Sequence, residues 1–308
     1  MSHLTPRWLA GTARSRLLTL LGRLRREPSC SRVVPRPTRL GRGGRPLRLT
    51  HVLVSSDLEP RYLESWPLAA RAWPAVAGLE PVLVLVAREA EVPAPLRDDP
   101  RVHVFEPLDG VHTAFQAQCV RLLYPALLQL DGAVLTADVD MLPANSRYFH
   151  RPVSRVDERH FVAYRDVLLG SRQIPICYNA ALPSTWAEVF TVESLADVRE
   201  RLRVWAAGIE YAGRRAGPGW DTDQELLYRT LLDWAGRTRR AWILDDHYTG
   251  HRRLERAPIE KRRGLTDAER RGVRRGRYSD YHALPPTAEL RVLNEQVVDA
   301  AADYRRTT

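Results

Sequence analysis

The chain has 308 residues, with 47 Lys or Arg against 37 Asp or Glu, so its formal net charge is +10. Residues 1–48 hold twelve arginines and one acid, Glu27, so the rest of the chain sums to about −1. This asymmetry argues against a nucleic-acid-binding domain with one broad basic face. Cys30, Cys119 and Cys177 are too few for a disulfide framework, and no apolar run reaches the roughly 20 residues that span a bilayer.

The N-terminal 48 residues form a basic tail in the sequence. Residues 1–26 mix leucines with arginines, and residues 27–48 are rich in proline and glycine, as a linker is. Two interpretations of 1–26 stay open: a basic amphipathic helix on an anionic membrane, or a solvated extension. Because the sequence has neither a disulfide framework nor an apolar run long enough to span a bilayer, we expect a cytoplasmic protein. Peripheral contact with an anionic membrane through residues 1–48 is one alternative.

From Leu49 onwards, predicted strands and helices alternate. Apolar runs predict strands at 51–55, 81–86, 101–105, 160–164, 174–182 and 240–244, and one ending at Asp138. Amphipathic patterns predict helices at 61–77, 111–130, 193–206, 223–235 and 287–301. The arginine-rich stretch 252–277 has weak periodicity and is predicted to be a mobile loop. The alternation favours an α/β domain over 49–286 with a mostly parallel sheet flanked by helices, and a C-terminal helix at 287–308 that packs on it or trails it.

Two aspartates follow the apolar run 133–135. Asp138 and Asp140 lie on one side of an extended chain, because side chains in a strand repeat every two residues. Two close carboxylates repel each other, and a divalent metal facing a diphosphate would relieve that repulsion. A second D-x-D, Asp221 to Asp223, opens a helical segment and could simply cap it. The first pair is therefore the predicted metal–diphosphate site, at the carboxyl edge of the sheet.

The order of the motifs resembles that of the GT-A glycosyltransferases that use nucleotide-diphosphate sugars, especially the glycogenin and galactosyltransferase type. The resemblance covers about residues 50–253. It rests on Ser55-Ser56-Asp57, Arg121-Leu-Leu-Tyr-Pro125, Asp138-Val-Asp140, Tyr178-Asn179-Ala-Ala181, Asp223-Gln224 and His247-Tyr-Thr-Gly250-His-Arg-Arg253. The last element is similar to the family's H-x-x-G-x-x-K, with Arg253 at the lysine position and without the usual Pro-Trp that follows.

The resemblance implies a hexosyltransferase that takes a UDP- or GDP-linked sugar, uses Mn²⁺ or Mg²⁺, and retains the anomeric configuration. The acceptor, whether carbohydrate, lipid or protein, is not implied. The implied metal ligands are Asp138, Asp140 and His247, with His251 as the alternate. The implied donor contacts are Ser55, Ser56, Asp57, Arg121, Asp138 and Arg253. The implied residues around the transferred sugar are Asn179, Asp223 and Gln224, with Asp221 as a second candidate carboxylate.

Two other functions compete with this interpretation. A nucleotidyltransferase has a similar α/β sheet but usually carries a glycine-rich basic loop after the first strand, where this chain reads Ser-Ser-Asp-Leu-Glu-Pro at 55–60. A non-enzymatic adaptor could use the basic tail to bind RNA or a membrane. That alternative leaves the D-x-D, Asp-Gln and His-x-x-Gly elements unexplained.

Overall fold

The computed structural model describes residues 44–214, 216–285 and 287–307. Residues 1–26, interpreted above as either an amphipathic helix or a solvated extension, and most of the linker lie outside these ranges. Within the described ranges there are ten strands: β1 (Leu49–Asp57), β2 (Glu80–Val86), β3 (Val102–Phe105), β4 (Ala133–Thr136), β5 (Met141–Pro143), β6 (Phe161–Ala163), β7 (Asn179–Ala181), β8 (Ala241–Ile243), β9 (Arg253–Leu254) and β10 (Asp280–His282).

The α-helices are α1 (Pro60–Leu63), α2 (Trp66–Ala72), α3 (Ala94–Arg97), α4 (Thr113–Leu123), α5 (Ser146–Val153), α6 (Pro183–Phe190), α7 (Leu195–Ala206), α8 (Thr222–Thr238), α9 (Asp246–Thr249), α10 (Arg256–Arg262), α11 (Asp267–Arg274) and α12 (Ala288–Thr307). A π-helical turn, Trp73–Ala77, continues α2. In the part of the chain described above, no helix combines the length and apolarity needed to cross a membrane.

Seven strands form the main sheet, in the order β3-β2-β1-β4-β7-β6-β8. The pairings β3–β2, β2–β1, β1–β4 and β6–β8 are parallel, whereas β7 runs antiparallel to both of its neighbours. Helices cover both faces of the sheet over two apolar clusters. The predicted α/β architecture with a mostly parallel sheet flanked by helices is therefore confirmed.

The central strands show why their sequences are apolar throughout. In β2 every residue from Pro81 to Val86 is buried, since helices cover both of its faces. The predicted helix 111–130 is shorter in the structure, because α4 ends at Leu123 and a 3₁₀ turn, Tyr124–Leu127, follows around Pro125. The strand predicted at 174–182 is shorter in the structure, where β7 includes only Asn179–Ala181.

The arginine-rich stretch 252–277 contains β9, α10 and α11, so the prediction of a mobile loop is wrong. A capping box fixes the start of α11, in which the Thr266 and Glu269 side chains accept each other's backbone N–H. Val273 buries its side chain in the core. The sequence gives little apolar signal here because Gly272 and Val273 are the buried residues of α11 and five of its eight residues are charged.

Two segments at the ends of the described chain also pack on the core. In α12, Leu293, Val297, Val298 and Ala301 are buried in the same cluster that covers β1. Near the other end, Leu47 is 2% exposed, and its backbone N–H donates to Val156 O.

A second, three-stranded sheet lies beside the main one. In it β10 pairs antiparallel with β5 and parallel with β9. The register sets His282 opposite Met141, one residue after Asp140, and Asp280 opposite Arg253. The small sheet therefore brings residues near positions 140, 253 and 282 together.

Candidate active site

A cavity of about 600 Å³ opens where β1 and β4 end. Both strands are parallel neighbours, so their carboxyl ends meet at one edge of the sheet, the usual ligand site of such sheets. Ten of the predicted site residues line it: Ser55, Ser56, Asp57, Arg121, Asp138, Asp140, Asp221, Asp223, Gln224 and Arg253.

The end of β1 presents a carboxylate that is held in place. Asp57 Oδ2 accepts from Thr113 Oγ1 at 2.8 Å, and Asp57 Oδ1 accepts from the backbone N–H of Glu59 at 3.2 Å. The hydroxyls of Ser55 and Ser56 donate to the carbonyls of Ala117 and Asp57. This wall of the cavity is thus buried, polar and ordered by its own hydrogen bonds.

Arg121, in the last turn of α4, joins the two D-x-D segments. Its guanidinium donates to Asp138 and, at 2.8 Å, to Asp223 Oδ2. The Arg121 side chain is 8% exposed and that of Asp223 is 2% exposed. Burial raises the pKa of Asp223 to about 6, although Arg121 opposes the shift. The pKa of Asp223 is therefore higher than that of an ordinary carboxyl group.

Asp138 and Asp140 have different partners. Asp138 Oδ2 also accepts from Cys177 Sγ at 3.1 Å, and the Asp138 side chain is 42% exposed. Asp140 is buried, and its Oδ2 lies 3.0 Å from Arg256 Nη1 and 3.2 Å from His282 Nε2. Burial alone would raise the pKa of Asp140, but His282 and then Arg256 lower it, so the net direction is down.

The imidazole beside the D-x-D is His282, which the sequence analysis did not single out. His247 is exposed on α9 and lies outside the cavity lining. His251 is buried, with Nδ1 3.7 Å from Asp246 and Nε2 3.4 Å from Asp280. Neither predicted histidine contacts Asp138 or Asp140. His282 is the last residue of β10, and only the pairing of β10 with β5 places it beside Asp140. The local sequence around His282 gives no such signal.

Asn179 does not line the cavity either. It is 0% exposed, and its Nδ2 donates to the carbonyls of Pro175 at 2.9 Å and Ile176 at 2.8 Å. Pro175 and Ile176 themselves line the cavity. Asn179 thus shapes the wall from behind and has no surface that a bound sugar could contact.

Each of two cavity-lining arginines is held by a carboxylate: that of Asp280, which is buried, or that of Asp246, which is half-buried. Arg253 donates through Nε and Nη2 to Asp280 Oδ2 at 2.9 and 2.8 Å. Arg165, absent from the sequence prediction, uses the same two atoms on Asp246 at 2.9 and 2.8 Å. Asp280 is fully buried, and Arg253 and His251 hold its pKa well below the usual range although burial opposes them. Both guanidiniums keep Nη1 available for an anionic ligand.

One pair of side chains in the cavity has the chemistry and the spacing of two ligands to a divalent metal. Asp140 Oδ2 and His282 Nε2 lie 3.2 Å apart, the separation expected of two neighbouring ligands of one ion at about 2.1 Å each. A carboxylate with an imidazole suits manganese better than calcium. Across the residues that the structure describes, no group of three or more His, Cys, Asp or Glu is arranged to hold a metal. Further ligands would therefore come from Asp138, after release from Arg121, or from a bound ligand.

We found no match among protein-family models, and none among curated proteins. Among solved structures, the chain is similar to the glycosyltransferase GlyE of Streptococcus pneumoniae TIGR4, with 11% identity and a TM-score of 0.44 over 84% of this chain and 64% of that one. It therefore spans slightly less than two thirds of GlyE. A second similar structure is the galactosyltransferase LgtC in complex with donor and acceptor sugar analogs, with 14% identity and a TM-score of 0.42 over 82% of this chain and 95% of that one.

A third similar structure is the mannosyltransferase PcManGT of Pyrobaculum calidifontis in complex with GDP-Man and Mn²⁺. It shares 17% identity and a TM-score of 0.39 over 97% of this chain and 85% of that one. All three proteins are glycosyltransferases. At these identities, and with TM-scores below 0.5, the likeness assigns no activity to this chain.

Proposed function

We propose that the chain is a GT-A type glycosyltransferase that moves a hexosyl group from a UDP- or GDP-linked donor to an acceptor hydroxyl. The observation that carries the proposal is the convergence of ten donor-site and catalytic candidates on one cavity at the carboxyl edge of a parallel sheet. Its volume of about 600 Å³ falls in the range of small-molecule sites.

The polarity of the walls supports one orientation of the donor. The base and ribose would lie against Ser55, Ser56 and Asp57, whose acceptor oxygens suit N–H and O–H donors. The diphosphate would face Arg165 and Arg253, whose clamped guanidiniums each offer Nη1. Because Asp246 and Asp280 fix these arginines beforehand, little side-chain entropy is lost when the phosphates bind.

The metal belongs to the same proposal. Asp140 and His282 would hold Mn²⁺ or Mg²⁺, with Asp138 as a further ligand, and His282 replaces His247 in this role. A bound divalent ion acts as a Lewis acid that neutralises the charge developing on the diphosphate leaving group. Arg256, 3.0 Å from Asp140, would then be free to turn towards the phosphates.

The transferred sugar would lie beside Asp223 and Gln224, at the first turn of α8. Gln224 Nε2 donates to Asp221 Oδ1 at 3.2 Å, and its backbone N–H donates to Asp223 Oδ1 at 2.8 Å. Arg121 holds the Asp223 carboxylate, so this wall is ordered before the sugar arrives. We propose retention of configuration, in which no protein base needs to deprotonate the acceptor hydroxyl. Inversion would need one, and Asp221 or Asp223 could serve as that base.

A titration of nucleotides tests the proposal. We expect UDP or GDP to raise the melting temperature of the full chain, with a larger rise in the presence of Mn²⁺, because a ligand of the folded state stabilises it by mass action. Slow hydrolysis of the matching nucleotide sugar should follow. A rise in melting temperature with nucleoside triphosphates alone would favour the nucleotidyltransferase alternative. If no nucleotide changes the melting temperature, the proposed glycosyltransferase function is wrong.

A further inference from the structure

The segment Arg252–Arg277 carries eleven Lys or Arg and four Asp or Glu, a net charge of +7. Five of these arginines form what we call the α11 basic face, comprising Arg270, Arg271, Arg274, Arg275 and Arg277. All five are exposed. Within the described ranges none of them has a carboxylate within 4 Å, whereas neighbouring Arg262 and Arg263 are paired with Glu269 and Glu289. The basic face is therefore a surface of unneutralised charge.

The fold of α11 does not need these charges. The capping box of Thr266 and Glu269 fixes the start of the helix, and Val273 anchors it in the core. Arg270 and Arg274 are four residues apart on one side of α11, where like charges repel each other and weaken a helix. The helix C-terminus favours Arg271 and Arg274 but not the whole cluster. These exposed charges are therefore not required by the packing of α11 and are accessible to an anionic ligand.

The basic face is joined to the rim of the cavity through Tyr278. Gly272 of α11 packs against the Tyr278 ring so closely that a Cβ there would lie 2.6 Å from it. The guanidinium of Arg252 lies over the same ring, 5.3 Å from its centroid. The next residue, Arg253, lines the cavity. Arg252, Tyr278 and Gly272 thus form a continuous series of contacts from Arg253, which lines the cavity, to α11.

We propose that the α11 basic face binds the acceptor, and that the acceptor is a glycan chain bearing carboxylate or phosphate groups. This inference rests on the proposed function and adds the class of acceptor to it. Guanidinium groups bind both kinds of anion bidentately. A membrane surface is the less suitable partner, because none of the exposed large apolar side chains found in the described structure, Leu195, Val204, Tyr248 and Val292, belongs to this segment. The face thus offers charge without an anchor for acyl chains.

Binding of defined polyanions tests the inference. The probes are a fluorescent oligogalacturonate and inorganic polyphosphate of similar length, with vesicles of phosphatidylserine and phosphatidylcholine as the membrane arm. The test variant carries Arg270→Gln, Arg271→Gln and Arg274→Gln. The matched control carries Arg203→Gln, Arg229→Gln and Arg237→Gln, which remove the same charge from exposed positions of α7 and α8.

We expect the parent to bind at least one soluble polyanion, more weakly as salt rises because the charges are screened. The α11 variant should lose at least about tenfold in affinity, and the control should stay within about twofold. Equal loss in both variants, or none in the α11 variant, would overturn the inference. Vesicle binding without polyanion binding would overturn it in favour of a membrane.

Calorimetric titration of UDP and GDP into the same proteins separates this inference from the proposed function. If nucleotide binding persists in both variants while polyanion binding is absent from the parent, only the acceptor class is wrong. If the parent binds no nucleotide, the proposed function fails whatever the polyanions do.

Discussion

The two D-x-D segments have the same spacing and line the same cavity, yet their carboxylates are in opposite electrostatic environments. Asp140 follows β4 and meets a cation and an imidazole, which lower its pKa against the effect of burial. Asp223 opens α8 and shares one arginine with Asp138, so burial prevails and its pKa rises to about 6. Spacing alone therefore does not assign a role, because the number of cations around each carboxylate sets its charge.

The more exposed aspartates of the two segments, Asp138 and Asp221, also differ in their partners. Asp138 is half-buried between Arg121 and Cys177, whereas Asp221 is exposed and contacts Gln224. Asp140 therefore has a pKa below that of an ordinary carboxyl group, whereas the pKa of Asp223, buried beside the exposed Asp221, is raised. The following four predictions test this contrast, from the largest expected effect to the smallest.

The largest effect is expected from Arg121→Met, since Arg121 joins the two segments. The change leaves Asp223 buried without its cation, and breaking a buried pair in this way destabilises a protein by about 3–5 kcal/mol. Chemical denaturation measures the loss. The double variant Arg121→Met, Asp223→Asn should recover part of it, because the unpaired charge is gone. An unchanged denaturation midpoint in the single variant would mean that Arg121 does not hold Asp223 in solution.

The second prediction concerns pH. Because the pKa of Asp223 is raised in the folded chain, the folded state binds more protons than the unfolded state between about pH 4 and pH 6. The stability advantage of the parent over Asp223→Asn should therefore be largest below about pH 4 and decline by up to about 3 kcal/mol as pH rises to about 6. Melting curves of both proteins across that range provide the difference. A difference that grows with pH would contradict the raised pKa.

The third prediction concerns the negative charge of Asp140. Asp140→Asn keeps the shape and should lower kcat/KM for donor hydrolysis about 100-fold, or about 2.7 kcal/mol, since one preorganised electrostatic contact at the leaving group is lost. Metal-dependent nucleotide binding should weaken in the same variant. Asp131→Asn, at an exposed position before β4, is the control and should match the parent. Full activity of Asp140→Asn would remove Asp140 from the proposed metal site.

The smallest effect is expected from Asp221→Asn. Its carboxylate is exposed, and the asparagine retains the oxygen that accepts from Gln224, so nucleotide binding and melting temperature should stay within experimental error. Turnover discriminates between mechanisms. A retaining enzyme should keep activity within about threefold, whereas an inverting enzyme that uses Asp221 as its base should lose about 100-fold or more.

The part of the site that the sequence revealed is the part made of local patterns. The apolar run before Asp138 predicted a strand and its carboxyl edge, and the residues around Ser55, Arg121 and Asp223 reached the same cavity. The roles of these residues remain predictions. The mostly parallel sheet could be predicted because strands and helices alternate along the chain. Each of these elements is recognised by its own period of apolar residues.

What the sequence did not reveal depends on distant pairing. His282 and Arg256 reach Asp140 through β10 and α10, in a region whose arginines hide its helical pattern. Arg165 becomes a cavity residue only because Asp246 holds it there. Asn179 matched a motif, but its side chain is turned into the protein to support the carbonyls of residues 175 and 176. Such orientations follow from tertiary packing and have no local signature.

The pairing of β5 with β10 also bears on the order in which the chain assembles. Asp140 and His282 are separated by 142 positions, whereas β1, β2 and β4 all lie before residue 137. During synthesis the parallel strands can meet well before residue 282 leaves the ribosome, so the cavity wall of residues 55–57 is expected to form first and the wall of Asp140 and His282 last. Pulse-labelled hydrogen exchange during refolding should find the β10 amides protected later than those of β1. Simultaneous protection would show that the two walls form together.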